Sequence, residues 1–241
     1  VGGGLLRSPK QILAILKMLR AEVGCLLTVK MRIGFEDDRF FDELLETMND
    51  SRVDLLSLHA RTVLGGYRSM PSYSHVAKAV GEVQCPVLLN GNVTSFRSAF
   101  DLRELTGSHG VMIGRSAIRN PWIFRQVREM QANSTVFQPT LGDVYEYIED
   151  LYHALEKPRI DERKNVGRMK KFLNFVGLSV DAEGKFLHQM RRAQTKKELF
   201  SICNEHLMNQ GQSDVNFNPE PFEGLVARPS SESGYSECKL S

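Results

Sequence analysis

Four short, almost wholly apolar runs alternate with amphipathic stretches over residues 1–131, and this alternation constrains the fold more than any other feature of the chain. The runs are residues 26–31 (LLTVKM), 53–59 (VDLLSLH), 86–90 (PVLLN) and 110–114 (GVMIG). A strand covered on both faces loses the polar alternation of a half-buried one, so such runs separated by helices point to repeated β/α units on a parallel sheet. Ser8 is placed to cap a first helix, with Pro9 in its first turn and Ile12, Ile15, Leu16 and Leu19 on one face. A second helix opens near Asp37 and buries Phe40, Phe41, Leu44, Leu45 and Met48. Further helices are expected over residues 74–80 and 95–105, and from Asn120-Pro121 through Met130.

Beyond a polar stretch at 132–139 the strand signal stops, which marks a domain boundary. Thr140 opens a helix with Val144, Ile148, Leu151 and Leu155 at helical spacing, and Met169, Phe172, Leu173 and Val176 mark a second. Thr195-Lys196-Lys197-Glu198 has the pattern of a capping box and opens a third. The expected organisation is an α/β domain over 1–131, an all-α domain over 140–210 and a disordered tail over 211–241, where Asn, Ser, Pro, Gly and Glu prevail.

Charge is nearly balanced, at 31 Lys plus Arg against 29 Asp plus Glu, so net charge alone gives no argument for a polyanionic partner. Local clustering does. Residues 157–200 hold twelve basic side chains against five acidic ones, a region suited to a phosphate backbone. The four cysteines, Cys25, Cys85, Cys203 and Cys238, form no CxxC pair and no metal-ligand spacing, which fits a reducing, cytoplasmic or organellar compartment and no metal. No apolar run nears the roughly 18 residues of a membrane span, so no membrane association is expected. The chain opens on Val1-Gly2-Gly3-Gly4 without an initiator Met, and it reads as a fragment.

The strand ends carry the chemistry. Parallel β/α folds place their sites at the carboxyl ends of strands. In chain order these ends present Lys30-Met31-Arg32, His59-Ala60-Arg61, Asn90-Gly91-Asn92 and Gly114-Arg115. Taken singly, each has an ordinary role as a strand cap or a tight turn. Together they place cations, a histidine, amides and glycines on one rim, where an anionic ligand is the natural guest.

The runs Thr28-Val29-Lys30-Met31-Arg32-Ile33-Gly34, Leu58-His59-Ala60-Arg61-Thr62, Pro86-Val87-Leu88-Leu89-Asn90-Gly91-Asn92-Val93 and Val111-Met112-Ile113-Gly114-Arg115-Ser116-Ala117-Ile118-Arg119-Asn120-Pro121-Trp122 resemble the tRNA-dihydrouridine synthases in wording, order and spacing. The resemblance implies an FMN-binding (β/α)8 TIM barrel followed by a helical RNA-binding domain, so that this chain would be the C-terminal half of the barrel, strands five to eight, with the helical domain after it. The family reduces uridine in tRNA to 5,6-dihydrouridine at the expense of NAD(P)H. Carried over, Lys30 would contact the flavin ring, His59 would lie beside the flavin, and Asn90, Gly91, Asn92, Gly114 and Arg115 would hold its phosphate. For tRNA the expected contacts are Arg61, Arg119, Lys164, Arg168, Lys170, Lys171, Arg191 and Arg192. Two positions depart from the family pattern: an acidic residue is common at Asn92 and a glycine at Ala60.

The family's catalytic cysteine, in an Asn-x-Gly-Cys-Pro loop, has no counterpart here and would lie upstream of Val1. The chain alone is therefore expected to be inactive. The alternatives are a non-catalytic tRNA-binding remnant or another phosphate-binding FMN barrel oxidoreductase, such as a dihydroorotate or dihydropyrimidine dehydrogenase.

Overall fold

A computed structural model describes residues 2–227 of the chain. They form two compact units, residues 2–93 with 97–113 and residues 94–96 with 114–227.

In the first unit a 3-10 turn, Gly2–Arg7, leads into α1 (Pro9–Glu22), β1 (Thr28–Arg32), α2 (Phe41–Asp50), β2 (Leu55–His59), α3 (Tyr73–Glu82), β3 (Val87–Asn90), α4 (Phe96–Thr106) and β4 (Gly110–Met112). The strands are all parallel, in the order β1-β2-β3-β4. All four expected strands are present within two residues of their expected bounds. Leu56 and Leu58 of β2 and Val87 and Leu89 of β3 are buried, as are Leu44, Leu45 and Met48 of α2 and Val76 and Ala79 of α3. Burying each large side chain of this kind contributes about 1.5–3 kcal/mol, so the two central strands anchor the unit.

The first helix departs from expectation. Of its apolar face only Leu16 is buried, while Ile15, Leu19 and Met18 are exposed, Met18 at 69%, and Leu26 just ahead of β1 is 76% exposed. The reason is topological: β1 is an edge strand, so α1 packs on α2 and the opening 3-10 turn, and among the described residues no strand pairs with β1 on its outer side.

The second unit holds α5 (Arg115–Arg119), α6 (Ile123–Gln131), α7 (Leu141–Leu155), α8 (Glu162–Val176), α9 (Lys185–Met190) and α10 (Lys196–Leu207). Its core joins Ile148 and Tyr152 of α7, Met169 and Leu173 of α8, Phe186 of α9, and Leu199 and Cys203 of α10. Thr195 and Glu198 form the expected capping box, with Thr195 Oγ1 accepting from Glu198 N at 3.2 Å. Thr140 and Asp143 form a second one at the start of α7. The six-residue α9 carries no periodic signal of its own; the Asp181 carboxylate accepts from the Lys185 and Phe186 backbone N–H groups and holds its first turn.

The expected disordered tail needs correction over its first part. A 3-10 turn, Asn209–Asp214, is followed by an extended segment in which Asn216 bridges Thr140 and Phe217 is buried. Phe217 supplies the apolar anchor that composition averaged over the whole tail conceals. Residues 228–241, Cys238 among them, lie outside the described residues.

Candidate functional site

β1, β2 and β3 end side by side, with Arg32 in register with His59 and His59 with Asn90. The Asn90 amide is oriented from one side: its Nδ2 donates to Met112 O at 2.7 Å, which turns Oδ1 toward Lys30 and lets it accept from Lys30 Nζ at 3.0 Å. Desolvation, and then the nearby Arg32 charge, lower the Lys30 pKa from its ordinary value. Lys30 is itself exposed, and an accessible ammonium beside a second cation favours an anion as its guest. His59 is buried, with its ring edge-on to Tyr67 at 6.3 Å between centroids.

The chain turns sharply after Asn90. Gly91 has φ +130° and Asn92 φ +48°, a conformation that glycine adopts freely and asparagine better than most other residues. Beneath the turn lies Arg61, 1% exposed, donating from Nε to Ser69 O at 2.6 Å and from Nη2 to Asn92 Oδ1 at 2.9 Å. Arg61 was expected at the RNA; its burial makes it a brace for the 90–92 turn instead. Lys30, His59, Asn90, Gly91 and Asn92 are thus gathered at the carboxyl ends of three adjacent strands in the first unit.

Gly114 and Arg115 belong to the second unit. Gly114 precedes α5, and a Cβ placed on it would meet no atom within 4 Å, so the space over this glycine is open. Arg119, also expected at the RNA, is 4% exposed and donates from Nη2 to Thr94 O and, at 2.9 Å, to Pro219 O. Burial pushes its pKa down to about 10. It is an internal tie and not a surface cation.

The remaining basic residues divide by environment. Lys164, Lys171 and Arg192 are exposed, whereas Arg168 donates from Nη1 to Leu155 O at 2.8 Å and Lys170 from Nζ to Ala193 O at 2.7 Å. Arg163, Lys170, Arg191 and Arg192 line a cleft of about 570 Å³ whose small residues are Gly167 and Ala193. Arg163, one of the twelve basic side chains of residues 157–200, shares this cleft with Lys170, Arg191 and Arg192, which only the fold shows. Among the described residues no cysteine stands at a strand's carboxyl end: Cys25 and Cys85 precede strands, and Cys203 is buried in α10 with its thiol pushed up to about 12 by desolvation. No His, Cys, Asp and Glu grouping among the described residues could hold a metal ion, and no helix there is long and apolar enough to cross a membrane.

The family model for dihydrouridine synthase (Dus) matches residues 1–211. The chain belongs to the dihydrouridine synthase family. Among similar proteins, a tRNA-dihydrouridine(16) synthase of Neisseria meningitidis is 26% identical over 212 residues, covering 86% of this chain and 64% of that protein. A probable tRNA-dihydrouridine synthase of Helicobacter pylori is 36% identical over 129 residues, 53% of this chain and 39% of that protein. A tRNA-dihydrouridine(16) synthase of Ralstonia nicotianae is 27% identical over 221 residues, 89% of this chain and 66% of that protein. In each case the match spans less than two thirds of the relative's own length or about that share.

Proposed function

We propose that this chain carries the flavin-binding and RNA-binding parts of an enzyme that reduces uridine in tRNA to 5,6-dihydrouridine, with FMN as cofactor and NAD(P)H as reductant. The four parallel strands are then the last four of a (β/α)8 barrel, and the helical unit is the tRNA-binding domain. The relatives' activity supports this reading at the level of the family.

The observation that carries it is the Lys30–Asn90 pair. Asn90, fixed by Met112, holds the exposed Lys30 ammonium at a strand end, where Arg32 is a second nearby cation and an anionic partner is favoured. These residues fit FMN. When bound, the flavin supplies the hydride that uridine C6 receives. Lys30 would lie against the part of the ring system that gains negative charge on reduction. Gly91 and Asn92, in the left-handed region, are suited to turn backbone N–H groups toward a phosphate. By resemblance Gly114 and Arg115 also serve the phosphate, and the open space at Gly114 leaves room for a close approach. The proton that uridine C5 must receive has no cysteine donor among the described residues, and we assign that donor to the part of the relatives' length that this chain does not span.

The test is a flavin titration followed by fluorescence, with unaltered chain, Lys30→Ala and Arg115→Ala. Weaker FMN binding in both variants is the expected result; affinity unchanged in both would sink the assignment. Incubation with FMN, NADPH and unmodified tRNA, assayed for dihydrouridine, reads the chemistry separately from the binding.

A further inference from the structure

The segment 215–227 lies beyond residues 1–211 matched by the family model, yet it is tied into the helical unit at every turn. Phe217 N donates to Pro139 O at 2.7 Å and Gln138 Nε2 to Phe217 O at 2.9 Å. Arg119 Nη2 donates to Pro219 O, Ser179 Oγ to Glu220 O at 2.8 Å, and Phe222 N to Leu178 O at 2.8 Å. Leu225 packs on the helical core, and Ala227 is buried.

The strap ends at the basic cleft. Arg191 donates from Nη2 to Val226 O at 2.8 Å and to Ala227 O at 3.4 Å, while its Nε donates to Asn174 Oδ1 at 2.8 Å. Asn174 is itself oriented, since its Nδ2 donates to Lys170 O at 2.8 Å. The guanidinium is therefore gripped along two of its three nitrogens. Among the described residues its Nη1 has no hydrogen-bond partner.

We propose that the strap 215–227 positions Arg191 so that its remaining N–H edge receives an RNA phosphate in the cleft lined by Arg163, Lys170 and Arg192. This rests on the RNA-binding reading of the helical unit. Arginine carries high rotamer entropy, and fixing it beforehand removes that cost from binding. A planar fork held on two nitrogens also presents a defined edge to a phosphate, which a free cation does not. The strap adds no charge of its own to the cleft; it contributes two carbonyl oxygens.

The experiment measures binding of an in vitro transcribed tRNA as a function of salt, using full chains. Arg191→Ala should weaken binding by about tenfold at moderate salt and lower the salt slope by about one. Leu225→Ala removes no charge but loosens the strap beside the two carbonyls, and it should reproduce most of that loss. The double variant should be no weaker than Arg191→Ala alone, because the two changes act through one contact. If Leu225→Ala fails to fold, Val226→Gly loosens the same carbonyls through backbone freedom and has the same expected outcome. Tight, salt-dependent binding in Leu225→Ala alongside weak binding in Arg191→Ala would overturn the strap's role and leave the RNA reading intact. Tighter binding in Leu225→Ala would overturn it too, by showing that the strap masks Arg191. If the unaltered chain shows no salt-dependent tRNA binding, the RNA reading fails and the strap proposal with it.

Discussion

Arg61 and Asn92 meet through a hydrogen bond of 2.9 Å beneath the turn that follows β3, and both ends of that bond are under constraint. Arg61 is buried, and Asn92 sits at φ +48°. Removing the acceptor leaves a buried guanidinium nitrogen without that partner, and alanine, unlike asparagine or aspartate, adds strain in the left-handed region. Asn92→Ala is expected to destabilise the chain by about 1–3 kcal/mol in urea unfolding. Asn92→Asp keeps the acceptor and adds attraction to Arg61, so its stability should match or exceed that of the unaltered chain. A large loss in Asn92→Asp would show that the neutral amide, and not the acceptor, is what the turn requires.

Gly167 offers a substitution that separates helix stability from the cleft. It lies inside α8, and a Cβ added there would meet no atom within 4 Å. Glycine in a helix interior costs roughly 0.5–1 kcal/mol relative to alanine, so Gly167→Ala should raise stability by about that amount. Gly167→Glu places a carboxylate among Arg163, Lys170, Arg191 and Arg192 and should weaken tRNA binding without lowering the melting temperature. Equal binding by Gly167→Glu and Gly167→Ala would remove the cleft from the RNA surface.

The helix starts differ in how far a sequence pattern predicts a bond. Thr140 and Thr195 both accept from the backbone N–H three residues on, whereas Ser8, in the same relation to α1, makes no side-chain cap bond. Thr140→Ala and Thr195→Ala should each cost about 1 kcal/mol. Ser8→Ala should cost a few tenths at most. Chemical denaturation of the three variants decides it, and a Ser8→Ala loss equal to the other two would mean that α1 is capped in solution.

What the sequence made legible follows from which interactions are local. The four strands and the Thr195 capping box could be read because apolar runs and caps are set by neighbours in the chain. The conversion of Arg61 and Arg119 from surface cations to internal braces could not, since their partners Asn92 and Pro219 lie 31 and 100 residues away. Arginine is charged in either setting, so its residue type gives no sign of burial. The strap was hidden for a related reason: Phe217 and Ala227 are the anchors of a stretch whose average composition is polar. Leu16 illustrates the reverse case, where periodicity correctly marks an apolar helix face but only topology shows how little of it is covered.

Cys203 supplies a pH-dependent test of the helical core. It is buried on α10, where desolvation pushes its thiol from the ordinary value of 9.0 up to about 12. The folded chain therefore keeps the proton over a range in which the unfolded chain releases it. Below pH 9 both states are protonated and the contribution to stability is fully present; as pH rises from 9 toward 12 the unfolded state gains by ionising, and stability falls. The slope approaches about 1.4 kcal/mol per pH unit once the unfolded thiol is fully ionised. Other groups titrate in the same window, so the measurement is a difference: urea unfolding of the unaltered chain and of Cys203→Val at pH 8, 9, 10 and 10.5. The stability gap between them should shift in favour of Cys203→Val as pH rises. A gap independent of pH would mean that the thiol is reached by water in the folded state, and in that case Cys203 should also react with a thiol reagent as fast as exposed Cys25.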